Sequence, residues 1–80
     1  MLATWMFEVY YLPPLDPMRE ARILSVVQGF GGWLDCREGE GGESRNICLT
    51  YEFGSAEQAE SAAEHLPSLG EYVEGPSQYS

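Results

Sequence analysis

An α+β domain of strand–helix–strand–strand–helix–strand order follows from three features of the sequence. Residues 4–12 and 46–53 are aromatic-rich stretches that alternate with a period of two. Two other segments carry helix caps and helical spacing. A Gly-rich acidic loop at residues 39–44 reads as the tip of a long hairpin.

The elements follow in order. In residues 4–12, Trp5, Phe7, Val9 and Tyr11 fall on one face and Thr4, Met6, Glu8 and Tyr10 on the other, the alternation of a strand with one side buried. Pro13 and Pro14 end it, since neither donates to a ladder. Asp16 then reads as an N-cap with Pro17 at the first helical position, opening a helix over 17–28. Its apolar face is Met18, Ala21, Ile23, Leu24 and Val27, and Gly29 stops it. A short second strand spans Trp33 to Glu38, and the third runs from Asn46 to Phe53, with Ile47, Leu49, Tyr51 and Phe53 turned to the core. Ser55 with Gln58 three residues on is a capping-box signature for a helix over 56–66, whose small face is Ala59, Ala62, Ala63 and Leu66. Residues 71–74 form a short last strand, and 75–80 a polar tail. One domain, with its core at 4–74, accounts for all 80 residues.

This order predicts the ferredoxin-like βαββαβ sandwich. The expected sheet is antiparallel or mixed, of order 4-1-3-2, with the first and third strands as parallel neighbours and two helices on one face. In the hairpin, opposed residues have a constant index sum. A sum of 83 sets Leu34 against Leu49 and Cys36 against Ile47, which keeps one face apolar; Cys36 is then inside, Cys48 outside and more reactive, and no disulfide forms.

Charge narrows the function classes. Thirteen acidic residues stand against four arginines and no lysine, a net charge of −9. Such a surface repels phosphates, so neither nucleic acid nor an anionic membrane is an expected partner. The strand-three residues facing away from the helices, Asn46, Cys48, Thr50 and Glu52, include no aromatic or basic side chain to hold RNA. No run approaches the roughly 20 apolar residues of a membrane span, and Glu8 interrupts the N-terminal apolar stretch, so a cytoplasmic location is expected.

Catalytic and cofactor chemistry lack a constellation. His65 is the single histidine and suits the end of a helix, where its imidazole meets the helix dipole. Glu38, Glu40 and Glu43 lack the spaced ligands of a calcium loop, and the Glu57, Glu60, Glu64 stripe reads as a wet helix face. No cofactor, metal or catalytic residue is assigned.

The period of two instead sends Met6, Tyr10, Trp33 and Tyr72 to the sheet face that the helices leave open. Aromatics and methionine are the anchors interfaces favour, so these four are candidate interaction residues. The expected function is a non-enzymatic interaction module, as a homodimer or with a protein partner. The alternatives are a small-ligand sensor domain and a small enzyme of the dimeric α+β barrel type.

Overall fold

A computed structural model describes residues 4–39 and 46–79. Alternation becomes burial in β1 (Thr4–Tyr11): Phe7, Val9 and Tyr11 are buried, and Met6, Glu8 and Tyr10 between them keep part of their surface. The same holds in β3 (Ile47–Phe53), where Ile47, Leu49, Tyr51 and Phe53 are buried. Between these strands lie α1 (Pro17–Gly29) and β2 (Trp33–Glu38); α2 (Ala56–His65), a 3-10 turn at Leu66–Leu69 and β4 (Tyr72–Tyr79) follow.

Local chemistry starts both helices where it is expected to. The Asp16 side chain accepts from the Arg19 N–H at 3.0 Å with Pro17 in the first turn, and Ser55 Oγ accepts from the Gln58 N–H at 3.2 Å. Ile23 and Val27 of α1 and Ala59 and Ala62 of α2 cover the inner face of the sheet, joined by Leu66. At the centre the Phe7 ring lies 5.9 Å from Tyr51 and 5.2 Å from Phe53. Met18 and Ala21 do not share this burial; Met18 is 79% exposed.

The ferredoxin-like expectation is corrected in its strand directions. The sheet order is β2-β3-β1-β4, and all three pairings are antiparallel. The sheet is not mixed, and β1 and β3 are not parallel neighbours. The reason is geometric. After the α1 crossover β2 runs in the same direction as β1, so a strand that turns back from β2 through a hairpin and inserts beside β1 runs opposite to both.

The hairpin register is corrected as well. Leu34 faces Tyr51, Cys36 faces Thr50 and Arg37 faces Leu49, with a bulge between Leu34 and Cys36. The extra residue moves Cys36 to the open face, where it is exposed, while Cys48 is half-buried; both thiols are free. The inward place goes to Arg37, whose Nε donates to Glu20 Oε1 at 2.8 Å.

β4 is longer than residues 71–74 and runs through the segment read as a tail. It crosses Gly75-Pro76 because Gly75 takes φ +109°, where a Cβ would lie 3.1 Å from Phe7 Cβ and 3.2 Å from the Met6 carbonyl oxygen. The ladder shifts at that point, between Met6 and Glu8. Glu71 precedes the strand and is buried, with both carboxylate oxygens taken by Arg19 Nε at 3.0 and 3.2 Å.

Candidate functional site

Register arranges the open face in rows across the strands. Trp33, Glu52, Met6 and Ser77 form one row; Cys36, Thr50, Glu8 and Glu74 the next; Glu38, Cys48, Tyr10 and Tyr72 the third. All four candidate residues lie on this face, but in two groups. Tyr10 and Tyr72 are direct neighbours, with ring centroids 6.2 Å apart. Met6 and Trp33 are separated by Glu52, which is opposite both. Trp33 and Tyr72 are 44% and 59% exposed.

The carboxylates among them are the residues missed by a search for aromatic anchors. Glu8 and Glu74 stand opposite each other on β1 and β4. Each accepts from a tyrosine two residues away on its own strand: Tyr10 donates to Glu8 at 3.0 Å and Tyr72 to Glu74 at 2.9 Å. These bonds to carboxylates raise both phenol pKa values, Tyr10 most strongly. The signal was in the alternation, since the period that groups Met6 with Tyr10 also groups Glu8 with them.

At the other end, burial and the neighbouring Asp35 carboxyl push the Glu52 pKa up, while a hydrogen bond donated by the Trp33 indole pulls it down. Cys48 is also pushed up, chiefly by burial. The open face thus carries Glu8, Asp35, Glu38, Glu52 and Glu74, and no basic side chain among the described residues.

Two of the arginines, Arg19 and Arg37, are committed elsewhere. Arg19 pairs with Glu71 and its Cζ lies 4.9 Å over the Tyr11 ring. Arg37 pairs with Glu20, which also accepts from the Tyr11 hydroxyl. Burial pushes Glu20 up, yet the hydrogen bonds from Arg37 and Tyr11 prevail and hold its pKa low. This network joins β1, α1 and β2 on the helix side of the sheet.

A shallow groove of about 620 Å³ opens at the tyrosine end of the face, lined by Tyr10, Tyr11, Leu12, Asn46, Tyr72 and Glu74. His65 is exposed in the last turn of α2, with its ring centroid 6.0 Å from that of Phe30. Among the described residues no His, Cys, Asp and Glu group could hold a metal ion. Glu40 and Glu43 lie outside the described residues. No helix of the described residues is long and apolar enough to cross a membrane. No family model, curated protein or solved structure matches this chain.

Proposed function

We propose that this chain is a non-enzymatic protein-interaction module that binds through the open face of its sheet. The observation that carries this reading is the set of large side chains left uncovered there: Trp33 and Tyr72 are exposed, and Met6 and Tyr10 are partly so. Aromatic side chains bury about 150–250 Å² each, and in interfaces they concentrate the binding energy.

Homodimerisation through the same face is the other form of this reading. A two-fold contact sets a surface against its own copy, so Glu8, Glu38, Glu52 and Glu74 would oppose carboxylates, with no basic side chain among the described residues of the face between them. That electrostatic cost favours a different partner. The groove beside Tyr10 and Tyr72 supports a second reading, a small-ligand site. A ligand mass retained in native mass spectrometry of the purified protein would favour it.

Photo-crosslinking tests the main proposal. A benzophenone amino acid at position 33, on the face, is compared with one at position 60, on the exposed side of α2. In lysate of the source cells, a discrete protein adduct is expected from position 33 and not from position 60. Equal labelling from both, or none from position 33, overturns the reading.

A further inference from the structure

The open face repeats an arrangement that the protein completes elsewhere. On the helix side, the Arg19 guanidinium lies over the Tyr11 ring and pairs with the Glu71 carboxylate. On the open face, the Tyr10 ring stands beside Glu8 and the Tyr72 ring beside Glu74, but no arginine of the described residues reaches them. Resting on the reading of this face as an interaction surface, we infer that its partner is a basic, extended polypeptide segment whose arginine side chains lie across Tyr10 and Tyr72 and pair with Glu8 and Glu74.

Three features select that chemistry. First, Glu8 and Glu74 are opposed across neighbouring strands, where like charges repel; a guanidinium between them removes the repulsion and forms two charge-assisted bonds. Second, tyrosine faces attract cations, and Arg stacks on them better than Lys because its group is planar. Third, carboxylates recur row by row: Glu52 in one, Glu8 and Glu74 in the next, Glu38 in the third. Rows lie two residues apart along a strand, about 7 Å, which is also the spacing of alternate side chains in an extended peptide. The tyrosine hydroxyls already hold Glu8 and Glu74 in place, so less freedom is lost on binding.

The test uses a fluorescein-labelled peptide of alternating Arg and Thr, seven residues long, with fluorescence anisotropy at low salt. Micromolar binding is expected, weakening as salt rises. The double variant Glu8→Gln/Glu74→Gln and the double variant Tyr10→Leu/Tyr72→Leu should each weaken it by about tenfold or more. Glu57→Gln/Glu60→Gln removes as much charge from α2 and should change it less than about twofold. The glutamine pair on the sheet removes a repulsion, so its thermal midpoint should not fall, and it keeps the experiment readable if the tyrosine variant unfolds. No binding, or an equal loss from the helix variant, overturns the inference. Light scattering that finds a dimer strengthened by Glu8→Gln/Glu74→Gln also overturns it, while leaving the face as an interaction surface. Failure of the crosslink at position 33 removes the face itself.

Discussion

Glu52 and Glu20 act on stability in opposite senses. Burial and Asp35 raise the Glu52 pKa in the folded protein. The folded state then holds that proton to higher pH than the unfolded chain, so an ionised Glu52 costs stability above its folded pKa. The cost disappears below the unfolded value. Glu20 is the reverse: its folded pKa is lowered, so its contribution is present above the unfolded value and is lost as pH falls through the folded one. Glu52→Gln should therefore raise the thermal midpoint at pH 7 by about 2–4 °C, the effect of roughly half a kcal/mol in a domain this small. At pH 3 it should give no gain, because the carboxyl is then neutral in both states. Thermal unfolding at the two pH values checks this, and an unchanged midpoint at pH 7 removes the argued repulsion. The acid-rich character of the face was readable in the sequence. That Asp35 reaches Glu52 was not, because it depends on the bulge.

At the scale of elements, the connection from α1 to β2 is packed tightly against the core. A Cβ on Gly32 would lie 2.5–2.7 Å from ring carbons of Phe53, which is fully buried beneath the helices. The ring has no room to withdraw, so Gly32→Ala should destabilise by about 1–3 kcal/mol. Gly29, at the end of α1, has nothing within 4 Å of such a Cβ, and Gly29→Ala should cost nothing measurable. Urea denaturation distinguishes the two; similar curves would mean that the Phe53 contact is not restrictive. The element starts were legible because capping is local: Asp16 and Ser55 act within three residues. The length of β4 was not, because Gly75-Pro76 reads as a stop until β1 is beside it. Both edge strands carry an irregularity, the bulge in β2 and the Gly-Pro step in β4, and such breaks discourage edge-to-edge pairing.

At the scale of the molecule, charge is divided by side of the sheet. Arg19 and Arg37 work on the helix side, and the open face is left acidic. With a net charge of −9, the folded state repels itself at neutral pH. Raising salt from about 0.01 to 0.5 M shortens the screening length to a few Å, so the thermal midpoint should rise by several degrees at pH 7. At about pH 4.2, where the charges of the sequence balance, the rise should be much smaller. Differential scanning calorimetry measures both; equal shifts would mean that salt acts through something other than charge.

The sequence by itself determined the order of strands and helices along the chain and where the helices begin. It also determined which side chains of β1 and β3 turn inward, because caps and periodicity act over a few residues. Tertiary structure alone decided strand direction, the bulge that moved Cys36 outward and Arg37 inward, and the meeting of Glu8 with Glu74. These depend on contacts between residues far apart in the chain. A one-residue shift there exchanges the two faces of a strand, and the energy that selects the register resides in the assembled core and ion pairs.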